Sequence, residues 1–468
     1  MTKDLKIRFI TRHPDKAYVG SNLWLPKKHI AEKAIKEGLQ YWSMEGKTPT
    51  LRKLWSDSRD HIICPREFIR PEQYSDFSFP FIDLSHSNFP QAKFRVKKDP
   101  RDDEQRRAYE AMAVSAGGIL NLACGKGKTF LSLKRAADIG FPTLVVVHNT
   151  FLMNQWVDEA IPNHVELAPK QKVGVIRGKK FDWKHPITVA MIHTLASLVE
   201  SGNIPIEFRE HFGTVIYDEV HHLSAPVFAT TADLVSGYRY GLTATQKRLD
   251  GSEFVYKYHI GDIFYSDLKQ DLIPRIYFQY TPISVDLERK EVLDVKGELN
   301  IGKLRSYIGG LESSNKFRAE CIQEALDQGR KVLCVSHSKD QLINLNKMFP
   351  GSGLVVEETP AEERSAIVKK SKVCFAIARL GFEGLDDDGL DTVFVLLPFK
   401  SPNDLQQVMG RVQRKKEGKK TPVVIVFEDI NIKPFKAMCG TMKSHLKDWD
   451  KHAPGMPPLS YVTVIARK

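Results

Sequence analysis

Cysteine is scarce in this chain, and long apolar runs are absent. The 468 residues include six cysteines with no Cys-x-x-Cys spacing, which argues against a zinc ribbon or a disulfide framework and favours reduced core residues. No apolar run approaches the roughly 18 residues of a membrane span. The N-terminal "MTKDLKIRFITRH" lacks the apolar segment of a secretion signal. We therefore expect a soluble cytoplasmic protein with no membrane partner.

Basic residues outnumber acidic ones, with 69 Lys and Arg against 57 Asp and Glu. The formal charge is +12 and the pI is about 9.2, a balance that favours a polyanionic partner, with nucleic acid as the leading candidate. The first hundred residues hold 19 Lys and Arg against 12 Asp and Glu, interleaved with aromatics. A small DNA-binding domain would explain this bias, and a solvated basic surface would explain it equally well.

Short apolar runs alternate with amphipathic segments from about residue 117, which predicts strands and helices interleaved around parallel sheets. The first set of predicted strands is "GGILNLA", "TLVVVH", "KVGVIRG", "ITVAMIH", "GTVIYDEV" and "YRYGLTAT". After a less regular stretch, roughly 246–316, the second set is "KVLCVSH", "GLVVEE", "KVCFAIA", "DTVFVLLP" and "TPVVIVFE". The length and this rhythm favour two tandem α/β domains.

The stretch "NLACGKGKTF" has the composition of a phosphate-binding loop between a strand and a helix. Glycines would let the backbone approach a triphosphate, Lys128 would neutralise the β and γ phosphates, and the Thr129 hydroxyl would complete a Mg²⁺ shell. Leu122 stands where the usual pattern has its first glycine. A Gly-Lys-Thr triplet alone is weak evidence. The candidate loop residues are Cys124, Gly125, Lys126, Gly127, Lys128 and Thr129.

A second motif, "GTVIYDEVHH", ends a predicted strand on two carboxylates. The carboxyl edge of an open α/β sheet is where ligands bind, so Asp218 can hold Mg²⁺ and Glu219 can deprotonate the attacking water. On its own the motif would more simply be an acidic turn.

A third motif, "LQQVMGRVQR", places Gln407, Gly410, Arg411 and Arg414 at helical spacing, so that they share one face. Arginines so placed can stabilise charge on a transferred phosphoryl group. The simpler alternative is a basic helix face. Gln407, Arg411 and Arg414 join Asp218 and Glu219 as catalytic candidates.

The ordered set resembles the superfamily-2 helicases over roughly residues 95–430. Besides these three motifs it includes "GLTAT" at 241–245 and "EGLD" at 383–386. "EQRRA" before the loop, the His of "DEVH" and "GLTATQKRLDG" are most similar to the XPB-like group and to phage branch-migration helicases of the UvsW type. Size and the segment "GELNIGKLRSYIGGLESSNKF" suggest a tailed-phage member, which would work in the host cytoplasm.

This resemblance implies an α/β protein with two tandem RecA-like parallel-sheet domains and a small α+β N-terminal domain. The implied boundaries are 1–95 for a basic DNA-binding domain, 96–275 and 276–445 for the two RecA-like domains, and 446–468 for a tail. The RecA-like domains would close on ATP and Mg²⁺.

The resemblance also implies roles for individual residues. Gln105 would read adenine, and the fifth motif would face the nucleotide cleft through Gly384 and Asp386. Phosphate-backbone contacts would come from four residues for which helix capping is an equally good explanation: Asn149, Thr150, Thr194 and Ser197. Three residues would couple ATP to the strand groove: His221, Thr243 and Thr245. Gln413 departs from the glycine common in sixth motifs, which affects the geometry of Arg414.

The implied activity is ATP-dependent unwinding or branch migration of forks and four-way junctions in replication, recombination and repair. We expect a monomer that acts with replication or recombination proteins. One alternative is a double-strand DNA translocase that does not separate strands. Others are a nucleic-acid-binding protein with an inactive ATPase, which the intact Lys128, Glu219 and Arg411 argue against, and an RNA helicase.

Overall fold

The computed structural model describes most of the chain in two compact units. The first unit comprises Met1–Leu122 and Lys126–Asp267, and the second Ala123–Gly125 and Leu268–Lys468. None of the helices in the described part of the chain is long and apolar enough to cross a membrane. The described residues are 12–45, 48–85, 89–123, 125–244, 251–269, 272–378, 380, 385, 387–414, 416–447 and 461–464.

The N-terminal part of the first unit is α+β. Its described strands are β1 (Ala17–Val19), β2 (Asn22–Pro26), β3 (Gln40–Glu45), β4 (Thr48–Lys53), β5 (Ser56–Asp57), β6 (His61–Pro65) and β7 (Phe81–Asp83), with helix α1 (Glu32–Gly38). Five of them form a sheet in the order β5-β6-β2-β1-β7, and β3 and β4 form a separate antiparallel hairpin. Leu23 and Leu25 alternate into a small core with the Cys64 side chain.

The remaining strands of the first unit build mainly one parallel sheet. They are β8 (Phe94–Val96), β9 (Gly117–Leu122), β10 (Thr143–Val147), β11 (Val165–Leu167), β12 (Gly174–Arg177), β13 (Lys180–Asp182), β14 (Ile187–Met191), β15 (Thr214–Asp218), β16 (Tyr238–Thr243) and β17 (Ile263–Asp267). The order of the described sheet is β13-β12-β14-β10-β15-β16-β9-β17, parallel except at β13, while β8 and β11 pair apart from it. Apolar clusters pack on both faces, as the continuous apolar runs of these strands require.

The helices of this unit connect the strands. They are α2 (Asp103–Val114), α3 (Lys128–Ile139), α4 (Thr150–Asn154), α5 (Ile161–His164), α6 (Ile192–Glu200), α7 (Ile206–His211), α8 (Pro226–Ala229) and α9 (Glu253–Ile260). A π-helical segment, Gln155–Ala160, joins α4 to α5 without interruption.

Two buried arginines attach the N-terminal sheet to the parallel sheet. Arg66 Nη1 donates to the Ser236 and Gly237 carbonyls at 2.6 and 2.7 Å. Arg239, fully buried on β16, donates to the carbonyls of Val235 and His259 and, at 2.6 Å, to that of Ser21 beside β2. Carbonyl oxygens on both sides therefore satisfy charged groups that would otherwise be costly to bury.

The second unit is built on another parallel sheet. Its described strands are β18 (Arg275–Thr281), β19 (Val332–Ser336), β20 (Gly353–Val355), β21 (Val373–Ile377), β22 (Thr392–Val395), β23 (Val423–Asp429) and β24 (Tyr461–Val464), in the order β20-β21-β19-β22-β23-β18-β24. Its helices are α10 (Ile301–Gly310), α11 (Glu312–Asp327), α12 (Lys339–Met348), α13 (Ala361–Lys370), α14 (Pro402–Val412) and α15 (Lys433–Lys447).

The predicted fold class is confirmed, and every predicted strand contains a strand of one of the two parallel sheets. The structure adds β17 and β18, which lie in the stretch 246–316 that the sequence pattern left irregular.

Candidate ATP-binding site

The "GKGKT" loop lies between β9, which ends at the buried Leu122, and α3, which begins at Lys128. Gly125 and Gly127 adopt φ of +79° and +89°, left-handed conformations that favour glycine, so the loop turns where the sequence predicts. Lys128 Nζ donates to the Leu122 carbonyl at 2.7 Å, which brings the ammonium group back over the loop. Leu122 is thus the last residue of a buried strand. Cys124 lies outside the described residues.

Helix α2 braces this loop. Asp102 caps the helix by accepting from the Gln105 backbone N–H at 2.8 Å. The side chain of Gln105, 5% exposed, donates from Nε2 to the Lys126 carbonyl at 3.1 Å, and Lys126 Nζ pairs with Glu104 at 2.7 Å. Gln105 therefore touches the loop itself, and its contact with adenine stays a prediction. The sequence interpretation missed the ion pair of Glu104 with Lys126, although the position of Glu104 beside Gln105 could have indicated it.

Asp218 ends β15 at the same edge of the sheet, with only β16 between its strand and β9. Its Oδ1 accepts from the Glu219 backbone N–H at 3.0 Å, and its Oδ2 accepts from Trp156 Nε1 at 2.8 Å. Burial raises the pKa of Asp218, as does the Glu219 carboxylate, whereas the Trp156 hydrogen bond and the charge of Lys128 lower it. The Lys128 ammonium and this carboxylate therefore interact electrostatically.

Glu219 has a strained backbone. Its φ of +49° lies in the left-handed region that non-glycine residues seldom occupy. Such strain costs about 1–3 kcal/mol and is concentrated at active sites and switches. Glu219 Oε2 lies 3.4 Å from Nδ1 of His221, the residue expected to couple ATP to the strand groove.

The sequence interpretation missed the contact of Trp156 with Asp218. Its indole is 1% exposed and lies in the π-helical segment, a rare geometry often found at functional sites. The hydrogen bond to Asp218 spans 62 positions of the chain, so no local pattern reveals it.

A row of histidines connects Asn149 with the carboxylates. Asn149 caps α4, and its Nδ2 lies 3.0 Å from His148 Nε2. The ring of His148 stacks on that of His222 with centroids 3.7 Å apart, and His222 lies 4.4 Å from the His221 ring. The structure therefore brings a predicted backbone-contact residue and the predicted coupling residue His221 into one chain of contacts, through two histidines that were not predicted.

The other predicted residues of this unit are more dispersed. Thr150 begins α4. Thr194, on α6, accepts from the Gly178 backbone N–H at 3.1 Å, and the Ser197 carbonyl accepts from Ser201. Thr243 is buried at the end of β16. Thr245 lies outside the described residues.

In the second unit, Gln407 and Arg411 lie on α14, but this helix ends at Val412. Arg414 therefore follows the helix instead of extending its face as the spacing predicts, and its Nη1 pairs with Asp388 at 3.6 Å. Arg411 Nη1 donates to the Leu385 carbonyl at 3.4 Å. Gly384 and Asp386 lie outside the described residues.

The donor set of the first unit fits Mg²⁺. Magnesium in nucleotide sites is held by one or two protein oxygens together with phosphate oxygens and water, so a carboxylate and a hydroxyl are sufficient. Asp218 and Thr129 are the residues that would hold it. Burial and the neighbouring Glu219 carboxylate raise the pKa of Asp218, and a divalent cation at this position would offset both effects.

Comparison with known proteins finds relatives in sequence and in fold. The model of the family described as "Type III restriction enzyme, res subunit" matches residues 97–248. The chain is 27% identical over 375 residues to the putative ATP-dependent RNA helicase L396 of Acanthamoeba polyphaga mimivirus, covering 78% of this chain and 69% of that protein. It is 27% identical over 357 residues to the probable helicase D10 of Escherichia phage T5, covering 73% of each.

The DNA 3'-5' helicase XPB of Mycobacterium tuberculosis is 34% identical over 164 residues, which cover 35% of this chain and 28% of that protein. Among solved structures, S. cerevisiae Dbp5 bound to RNA and ADP BeF3 aligns with 78% of this chain and 89% of its own, with a TM-score of 0.53 at 12% identity, which shows the fold alone. The class that fold and site define is an α/β protein with RecA-like parallel-sheet domains. The matches in sequence to XPB-like and viral helicases support, more specifically, an ATP-dependent superfamily-2 helicase.

Proposed function

We propose that this protein is an ATP-dependent DNA helicase that unwinds or branch-migrates forks and four-way junctions. The observation that carries the ATPase part is the shared sheet edge, where Lys128 follows β9 and Asp218 and Glu219 follow β15. This is the edge at which open α/β sheets bind ligands.

The chemistry follows from the groups at this edge. The N–H groups at the start of α3 and the Lys128 ammonium would neutralise the phosphates of ATP. Thr129 and Asp218 would hold Mg²⁺, which supplies further charge neutralisation when it is bound. Glu219 would orient and deprotonate the attacking water. Gln407, Arg411 and Arg414 would stabilise charge on the transferred phosphoryl group.

DNA is favoured as the substrate. The basic charge supports a phosphate-backbone ligand, and the XPB relative is named a DNA helicase. Asn149, Thr150, Thr194 and Ser197 would contact the backbone, and His221 and Thr243 would couple those contacts to ATP. The phage and virus relatives support work in the cytoplasm of an infected host. Replication or recombination proteins would be its partners there.

The experiment is an unwinding assay on forked DNA, four-way DNA, linear duplex and RNA, with ATPase stimulation measured on each. The wild type should unwind the branched DNA preferentially. Lys128→Ala should lower ATP turnover at least about 10²-fold, because a main charge-stabilising donor is lost, while DNA binding persists. Full turnover by this variant would refute the ATP site, and preferential unwinding of RNA would refute the DNA assignment.

A second candidate function is a double-strand DNA translocase without strand separation, which shares the same ATPase. Duplex-stimulated ATP turnover without unwinding of any substrate would support it. The RNA alternative rests on the name of the mimivirus relative.

A further inference from the structure

The β3–β4 hairpin of the N-terminal region presents two different faces. Its register pairs Gln40 with Lys53, Tyr41 with Arg52, Trp42 with Leu51 and Ser43 with Thr50. Side chains alternate across the ribbon, so Tyr41 and Arg52 share one face whereas Trp42, Leu51 and Lys53 share the other. The exposure of β4 alternates accordingly, with Leu51 and Lys53 exposed and Arg52 only partly so.

The inner face is fixed to the ATPase unit. The ring of Tyr41 packs edge-to-face on Phe254 of α9, with centroids 5.3 Å apart. Phe254 in turn contacts Tyr258 on the same helix, and Tyr258 packs against the N-terminal core. Arg52 Nε donates to the Ser43 hydroxyl at 3.2 Å, which joins the two strands on this side. The hairpin is therefore held in one orientation by its inner face.

The outer face is apolar where surfaces are usually polar. Trp42 is 68% exposed, and Leu51, directly opposite, is 41% exposed. In the described part of the chain, Trp42 is the aromatic member of the set of exposed large apolar side chains. Trp42 and Leu51 are also the pair in this set that lies directly opposite on neighbouring strands. Trp rarely stands so far out of a folded surface, and exposed apolar patches mark interaction sites.

The charge of the hairpin favours nucleic acid over a protein surface as the occupant. Residues 40–53 carry three Lys or Arg and one Glu, within an N-terminal segment that is itself strongly basic. Lys53 lies on the same face as Trp42 and Leu51, with its Nζ 5.1 Å from the centre of the Trp55 ring beyond the hairpin. The Trp42 ring can stack on a nucleobase while the Lys53 ammonium lies near the phosphate next to it.

We infer that the outer face of this hairpin binds DNA by stacking Trp42 on an exposed base at a branch point, with Leu51 supporting the ring and Lys53 near the adjoining phosphate. This inference rests on the proposed function. It assigns the recognition of branched DNA to a surface separate from the ATP site. Linear duplex exposes no base away from its ends, so the contact would favour forks and junctions.

The test uses the full-length protein and a forked DNA carrying 2-aminopurine at the junction. Stacking on Trp42 should quench the probe in the wild type. Trp42→Ala should abolish the quench and weaken fork binding about 5- to 150-fold, the range for loss of one base–aromatic stack. Trp42→Phe should keep most of both signals because the ring remains. Val114→Ala, at an apolar position 89% exposed on α2, is the matched control and should behave as wild type.

Unchanged fork affinity and quenching in Trp42→Ala would overturn the inference, as would an equal loss in Val114→Ala. The thermal unfolding midpoint of each variant checks folding, and the retained signals of Trp42→Phe keep the test decisive if Trp42→Ala is unstable. The proposed function is tested separately by stimulation of wild-type ATP turnover by single-stranded DNA. If that stimulation is absent, the proposed function fails, whereas its presence with an unaffected Trp42→Ala refutes only the stacking surface.

Discussion

The hydrogen bond between Trp156 and Asp218 yields the sharpest prediction about the ATP site. Trp156→Phe keeps a buried aromatic ring but deletes the N–H that donates to Oδ2 at 2.8 Å. A hydrogen bond to a charged group contributes about 1.5–3 kcal/mol. Loss of a residue that orients a metal ligand typically weakens metal affinity about 10- to 100-fold. We therefore expect the Mg²⁺ concentration for half-maximal ATP turnover to rise by one to two orders of magnitude.

Two measurements separate this effect from general damage. Binding of a fluorescent ADP, titrated with Mg²⁺, should shift by a similar factor without any turnover. Trp183→Phe is the matched control, since Trp183 is another buried tryptophan of the same unit that packs on Phe208 and contacts no carboxylate of the site. A wild-type Mg²⁺ requirement in Trp156→Phe, or an equal shift in Trp183→Phe, would refute the reasoning.

Two further predictions concern carboxylates. Glu219→Gln should lower the rate of hydrolysis about 10²- to 10⁴-fold by removing the base while fluorescent ATP still binds, and normal single-turnover hydrolysis would contradict this. Burial raises the pKa of Asp233 to about 6, against the opposing charge of Arg239 and a hydrogen bond from Asn22. The contribution of Asp233 to the free energy of unfolding is therefore full below about pH 4 and is lost as pH rises through 6, a change of up to about 3 kcal/mol. Asp233→Asn should therefore flatten the difference in urea stability between pH 4 and 7, and an unchanged pH dependence would count against it.

The parallel sheets and the tight turn at Gly125 and Gly127 could be predicted from the sequence because their signals are local. Buried parallel strands appear as continuous apolar runs such as "TLVVV", and glycines mark where the backbone must turn. Strand β18 was missed because "RIYFQYT" lacks the continuous apolar run of the other strands. Polar and apolar residues alternate in it instead, and Ile276 and Phe278 are buried. That alternation, rich in aromatics, was itself a strand signal.

The contacts around the carboxylates could not be predicted in this way. Trp156 and His148 lie far from Asp218 and His222 in the chain, and single residues on different elements leave no periodic pattern. The end of α14 at Val412 was also not evident, since the next glycine in the sequence, Gly418, lies six residues further on. Helical spacing predicts a shared face only as far as the helix continues.

The buried hydrogen bonds of Arg239 limit how freely recombination could replace the N-terminal region. Its guanidinium donates to the Ser21 carbonyl, which precedes the "GKGKT" loop by about a hundred residues. Replacing the residues before 96 with a segment that covers Arg239 but offers no carbonyl there would leave that buried donor short of an acceptor, at a cost of about 1–3 kcal/mol. The segment is thus not a modular attachment that recombination could replace freely. A transplanted N-terminal region would have to bring a carbonyl to the same point, or arrive together with a change at position 239.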